Sequence, residues 1–186
     1  MCIRDRVDAA VAVLELAQHL AQELREIDSY ALYADLELPL VPILARMEDV
    51  GVAVDVEALE NLRKEFTDKV AQVEGEARTL VDEPALNLSS PKQLSVVLFD
   101  KLDLPKTKKT KTGYSTAAKE IEALAEKNPH PFLDHLLAHR EYQKMKSTIE
   151  GLIKAVHSDG RIHTTFNQTV TSTGRLSSTD PNLQNI

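Results

Sequence analysis

Apolar side chains recur every third or fourth residue along most of the chain, and every second residue only near its end. The first rhythm marks one face of an α-helix and the second marks a strand. Val13, Leu16, Leu20, Leu24 and Ile27 predict an amphipathic helix over about 8–27. A shorter helix is expected over 38–50, with Gly51 just past its end, where a glycine commonly closes the last turn. Val52-Ala53-Val54 reads as a brief extended stretch. Asp55 follows as a helix N-cap, its carboxylate able to accept from an unpaired N–H of the first turn. The stripe Leu59, Leu62, Phe66, Val70, Val73, Ala77 and Leu80 then predicts a helix about 40 Å long at 1.5 Å per residue.

Ser90-Pro91-Lys92-Gln93 predicts the next helix start, with Ser90 as N-cap, Pro91 at the first position and Gln93 completing a capping box. That helix should run to about Leu102. Residues 103–114 (DLPKTKKTKTGY) read as a polar loop rich in Lys and Thr. Ser115 or Thr116 is expected to cap a helix ending near Lys127, and Asn128-Pro129-His130-Pro131 is a break. Leu133, Leu136, Leu137, Met145, Ile149, Leu152, Ile153 and Val156 predict a long helix over about 132–156. Beyond the turn pair Asp159-Gly160, Ile162, Thr164, Phe166, Gln168 and Val170 alternate with His163, Thr165, Asn167 and Thr169. This predicts one β-branched strand over 161–170. It has few partners in the chain, so fraying as an unpaired edge is expected.

Composition narrows the class. No apolar run approaches the roughly 18 residues that cross a bilayer, and Met1 to Arg6 is charged with no apolar region after it, so neither a membrane span nor a secretory signal is expected. A single Cys2 builds no disulfide framework, which fits the cytoplasm. Residues 1–60 carry 13 acidic and 4 basic side chains and residues 61–186 carry 16 and 18, so the net charge of −7 divides into −9 and +2. A polyanion partner responds to local potential, so the overall acidity does not exclude one.

The last fourteen residues, Thr173 to Ile186 (TGRLSSTDPNLQNI), are polar and turn-rich, and composition alone would make them a surface loop. They also concentrate hydrogen-bond donors: Arg175, Asn182, Gln184 and Asn185. Every Watson–Crick pair presents acceptors in the minor groove, purine N3 or pyrimidine O2, whatever the sequence. Donors aimed there can hold any correctly paired duplex end. A mispair displaces the acceptors, so it is sensed without a base being read.

That fourteen-residue string resembles the palm signature of the family A DNA polymerases. Upstream stretches resemble the same family in order: LELPLVPILARMEDVGVAVD (36–55), LNLSSPKQL (86–94), KTGYST (111–116), REYQKMKST (140–148) and GRIHTTFNQTVTSTGRLSS (160–178). The resemblance covers about residues 35–186 and implies an α+β fold, predominantly α-helical, with long thumb helices followed by the first strands of an antiparallel palm sheet. It implies four segments: 1–34 as the last helix of a degenerate 3′–5′ exonuclease-like domain, 35–55 as a linker helix, 56–157 as the thumb, and 158–186 as the start of the palm. Arg175 would then read the minor groove of the primer-terminal pair, with Asn182, Gln184 and Asn185 as further duplex contacts. Asn87 and Ser89 before one helix start, and Lys111, Thr112 and Ser115 before another, would meet phosphates. Arg140, Lys144, Lys146, Ser147 and Thr148 would track the backbone without reading sequence. Lys106, Lys108 and Lys109 divide evenly between such a role and a merely solvated loop.

Two departures matter. Pro91 stands where some members carry a basic residue. In editing members the first helix carries a Tyr and, four residues on, a metal-binding Asp, but here Val7 and Val11 fall at those positions. That segment is therefore expected to be a relic without proofreading, and Met1 to Arg6 fits no family pattern. His163 lacks a nearby second ligand and is expected to be structural. The family joins a primer 3′-OH to a deoxynucleoside triphosphate with two carboxylate-held metal ions. The resemblance puts those Mg2+ ligands outside this chain, so it is expected to bind primer-template DNA as a monomer and to be inactive alone. The alternatives are a non-catalytic duplex-binding module and a helical scaffold without nucleic acid.

Overall fold

The computed structural model describes residues 3–110 and 113–184. The chain forms two units, one from residues 53–161 and one from residues 1–52 with 162–186.

In the first of these, helix α4 (Val56–Leu80) begins where Asp55 turns extended and its Oδ1 accepts from Ala58 N–H at 2.9 Å. It lies against α7 (Pro131–Lys154). Phe66 and Tyr142 rings stand 6.1 Å apart, Glu74 meets His139, and Glu76 meets His135, so the partners run in opposite directions along the two helices. Glu74 is the polar centre of this contact. Its Oε1 accepts from Nε2 of the buried His139 at 3.1 Å, and its Oε2 pairs with Arg78 at 3.1 Å. The apolar core lies at one end of the pair, where Ala77, Leu88, Leu94, Leu98, Ile121, Phe132, Leu133 and Leu136 pack together.

The remaining elements cover that core, and several differ from expectation. Helix α5 (Pro91–Val96) is capped by Ser90, but the capping box is not closed. Gln93 Oε1 instead accepts from Asn87 N–H at 2.7 Å, because the chain before Ser90 folds back over the helix start. Beyond Val96 the helix widens into a π-helical turn, Val97–Lys101. The Lys/Thr stretch is no simple loop. Strands β2 (Lys109–Thr110) and β3 (Gly113–Tyr114) pair antiparallel, and Thr107 Oγ1 donates to Ser115 O at 2.6 Å. Tyr114 anchors this hairpin, with its ring edge-on to Phe99 at 5.3 Å and Lys106 Nζ 5.2 Å above it. Helix α6 (Ala118–Lys127) starts at Ala117 without a side-chain cap, so neither Ser115 nor Thr116 caps it. The cap of α7 is His130, whose Nδ1 accepts from Phe132 N–H at 3.1 Å.

In the other unit, α1 (Ile3–Glu26) is amphipathic as expected. Its apolar stripe is nevertheless largely exposed among the described residues, with Val13 at 64% and Leu16 at 54%. Helix α2 (Tyr30–Leu32) runs through a π-helical turn, Tyr33–Glu37, into α3 (Leu38–Val50). Proline at 39 has no N–H to offer the carbonyl four residues back, and a wider turn accommodates that loss. Gly51 closes α3 with φ of 65°, its N–H donating to Met47 O at 2.9 Å.

The strand expected over 161–170 is broken. β4 (Arg161–Ile162) pairs with β1 (Val52–Ala53), while β5 (Thr165–Asn167) pairs antiparallel with β6 (Ser177–Thr179). The interruption falls at the buried Thr164, whose Oγ1 lies 2.9 Å from Thr179 O and 2.8 Å from Pro181 O. β5 therefore has a partner within the chain, supplied by the segment that composition alone would make a loop. The helical majority and small antiparallel sheets agree with the expected α+β class.

Candidate nucleic-acid interface

Strands β5 and β6 pair Thr165 with Thr179, Phe166 with Ser178 and Asn167 with Ser177. The two strands are joined by a turn-rich connection in which Gly174 has φ of 72° and Thr171 Oγ1 donates to Arg175 O. Arg175 itself is exposed, next to the start of β6. After β6 the chain turns through a cis Asp180-Pro181 bond and is drawn back by Ser178. Ser178 is buried, and its Oγ accepts from Leu183 N–H at 2.9 Å and lies 3.5 Å from Asn182 Oδ1. Asn182 Oδ1 also accepts from Gln184 N–H at 2.9 Å, and Gln184 Nε2 donates to Leu176 O at 2.9 Å. Arg175, Asn182 and Gln184 thus share one small hairpin and its tail, all exposed. The carbonyl oxygen of Asn182 is used to shape the tail, while its amide group is a donor for a partner. Asn185 lies outside the described residues.

Sequence reasoning missed the residues that hold this hairpin from its other side. Glu48, near the end of α3, accepts Phe166 N–H on Oε1 at 2.6 Å, and its backbone carbonyl takes His163 Nδ1–H at 2.7 Å. Glu37 takes both its carbonyl and its carboxylate to Gln168 Nε2, at 3.0 and 2.9 Å. His163 is thereby structural, as expected.

The other candidates belong to the 53–161 unit. Asn87 and Ser89 are exposed, and Asn87 Oδ1 accepts from Ser89 N–H at 2.8 Å, a local turn that shapes the approach to α5. Ser115 is half-buried at the foot of the β2–β3 hairpin, where its N–H donates to Lys108 O at 2.9 Å. Lys111 and Thr112 lie outside the described residues. On α7, Arg140, Lys144 and Ser147 fall on one side, with Thr148 at its margin. Lys146 does not join them: two residues past Lys144, it lies about 160° round the helix at 3.6 residues per turn. It sits half-buried one turn from Tyr142, whose ring meets Phe66 of α4. Arg140 is half-buried, and burial pulls its guanidinium below its usual pKa without discharging it. No carboxylate pairs with it among the described residues.

Each unit thus carries its own exposed or half-buried hydrogen-bond donors, Arg175, Asn182 and Gln184 in one and Arg140, Lys144 and Ser147 in the other. Among the described residues no three His, Cys, Asp or Glu side chains converge as metal ligands. No described helix is long and apolar enough to cross a membrane.

A model of DNA polymerase family A matches residues 56–186. DNA polymerase I of Mycobacterium tuberculosis is 53% identical over 184 residues, which is 99% of this chain and 20% of that protein. DNA polymerase I of Bacillus subtilis is 49% identical over 179 residues, 95% of this chain and 20% of that protein. The solved POL domain of Pol1 from M. smegmatis, in complex with DNA primer-template and dNTP, is 56% identical with a TM-score of 0.84, over 95% of this chain and 31% of that one. The chain spans about a fifth of the length of these curated relatives. By its sequence along nearly its whole length, and by its fold, the chain belongs to DNA polymerase family A.

Proposed function

We propose that this chain is the duplex-holding part of a DNA-directed DNA polymerase that adds nucleotides to a primer in replication and repair. Residues 158–186 act as the start of the palm and hold the primer end. Residues 56–157 act as the thumb and track phosphates. Residues 35–55 act as a linker helix into the palm, after 1–34, a remnant without proofreading. The observation that carries the reading is the exposed set Arg175, Asn182 and Gln184 on one hairpin whose tail is shaped by Ser178. Support comes from the M. smegmatis relative, which was solved in complex with DNA primer-template and dNTP.

The chemistry follows from these side chains. Arg175 donates to minor-groove acceptors common to all correct pairs, and Asn182, Gln184 and Asn185 extend that contact along the duplex. Arg140, desolvated and without a carboxylate partner among the described residues, gains when a phosphate oxygen pairs with it. Lys144, Ser147, Thr148, Asn87, Ser89, Lys111, Thr112 and Ser115 supply further phosphate contacts that fix position without reading sequence. Lys146 contributes through its flexible stem, from the half-buried side of α7 that also carries Tyr142. Deoxynucleoside triphosphates and the Mg2+ ions of the reaction engage residues outside this chain. The 186 residues act as a monomer, in the cytoplasm of a bacterium, and do not extend a primer alone.

Titration of a labelled primer-template with the wild-type chain and Arg175→Ala tests this. Loss of a charged donor should weaken binding by roughly 10-fold or more. Equal affinity for the two proteins would favour a helical scaffold without a nucleic-acid role. Primer extension by the chain alone would overturn the assignment of the chemistry elsewhere.

A further inference from the structure

The connection that carries Arg175 and the tail that carries Asn182 and Gln184 are built on a sheet of two strands with three residues each, and an isolated pair of that size is marginal in water. Its order depends on what holds the outer edge of β5. In an antiparallel pair the backbone groups of alternate residues point toward the partner strand and away from it. Phe166 N–H points away from β6, and Glu48 Oε1 meets it at 2.6 Å. The carboxylate occupies the place of a carbonyl from a third strand. Because the acceptor is charged, the bond is stronger than a strand–strand bond.

What Glu48 holds is specific. Phe166 is the residue that faces Ser178 across the sheet. Ser178 Oγ is in turn the acceptor for Leu183 N–H and lies within reach of Asn182 Oδ1. A continuous series of contacts therefore runs from the end of α3 through Phe166 and Ser178 to the segment carrying Asn182 and Gln184. The second contact of Glu48, from its carbonyl to His163 Nδ1, fixes the chain just before β5.

We infer that Glu48 is a positioning residue for the Asn182–Gln184 segment, setting how well a correctly paired primer end is distinguished from a mispaired one. The inference rests on the primer-template reading above. Glu48 touches no DNA. It acts by keeping β6, and the tail that Ser178 gathers, in one arrangement, so that the donors meet acceptors only where the pair is correct.

The test compares Glu48→Ala, Glu48→Gln and Asn182→Ala in the 186-residue chain. Amide hydrogen exchange at Leu183 and Gln184 is read alongside titrations with primer-templates matched or mismatched at the terminal pair. Glu48→Ala should speed exchange at Leu183 by about tenfold and reduce the matched-over-mismatched preference by about tenfold, the worth of one charge-assisted bond. Protection along α4 and α7 should not change. Glu48→Gln keeps an oxygen for Phe166 N–H and should rescue both readouts to within about threefold. A residue that served only stability would lower both affinities alike and leave their ratio untouched, which would overturn the inference. Wild-type exchange at Leu183 in Glu48→Ala would overturn it too. If Glu48→Ala melts the hairpin outright, Glu48→Gln decides: rescue supports the inference, and no rescue refutes it. Asn182→Ala separates the two claims. If it weakens binding and Glu48→Ala does not, only the positioning role falls, whereas if it has no effect the primer-template reading falls first.

Discussion

Gly51 is held on two counts. Its φ of 65° is one that side-chain-bearing residues rarely adopt, and a Cβ there would lie 2.8 Å from His163 Cε1 and 2.9 Å from Ile162 O. The close approach lets the carbonyl of Glu48 reach His163, so the glycine and the hairpin support belong together. Gly51→Ala should destabilise this unit by about 2 kcal/mol or more, combining the left-handed backbone penalty with the steric clash. Urea unfolding monitored by exchange at Phe166 would measure it, and an unchanged midpoint would contradict the account. At this scale the sequence was partly legible. Gly51 was readable as a helix end because that signal is local. That Arg175, Asn182 and Gln184 form a cluster of donors was readable because they fall within ten residues, and the structure leaves all three exposed. The Glu48–Phe166 bond was not, since 118 residues separate its partners and nothing in the local pattern marks either one.

Helix signals built from neighbouring residues were read well. Asp55 caps α4 as its position suggested, and Asp55→Ala should cost about 1 kcal/mol while Asp55→Asn costs less, because the amide oxygen also accepts. Thermal unfolding of the three proteins gives that order, and equal midpoints would contradict it. Gln93 shows where such reasoning fails. Its spacing from Ser90 fits a capping box, but the folded-back chain offers Asn87 N–H at 2.7 Å, and the side chain takes that donor instead. The alternation over 161–170 likewise indicated a strand but not its interruption. Thr164 turns its hydroxyl onto carbonyls 15 and 17 residues later, a tertiary demand that overrides strand propensity. The β2–β3 hairpin escaped notice because Lys and Thr carry no apolar alternation, and its anchor is a ring contact between Tyr114 and Phe99. Lys146 looked continuous with Lys144 in sequence, yet helical geometry sends it to another side.

At the level of the whole molecule, the net charge of −7 is a poor guide to the partner, because the acidic excess is confined to the first 60 residues. The family was legible from the final motif and its upstream companions, and the match over residues 56–186 agrees. The exposed apolar stripe of α1 was not foreseen, since periodicity reports that a face is apolar and not what covers it. In the proposed function, the chain holds duplex through phosphate contacts and through minor-groove donors that all sequences satisfy. The most direct test is the affinity for a primer-template as a function of salt, measured in parallel for A·T-rich and G·C-rich primer ends. Log affinity should fall linearly with log salt, by roughly 0.9 per phosphate neutralised. The two sequences should bind with near-equal affinity. Binding that ignores salt, or that strongly prefers one sequence, would contradict the proposed function.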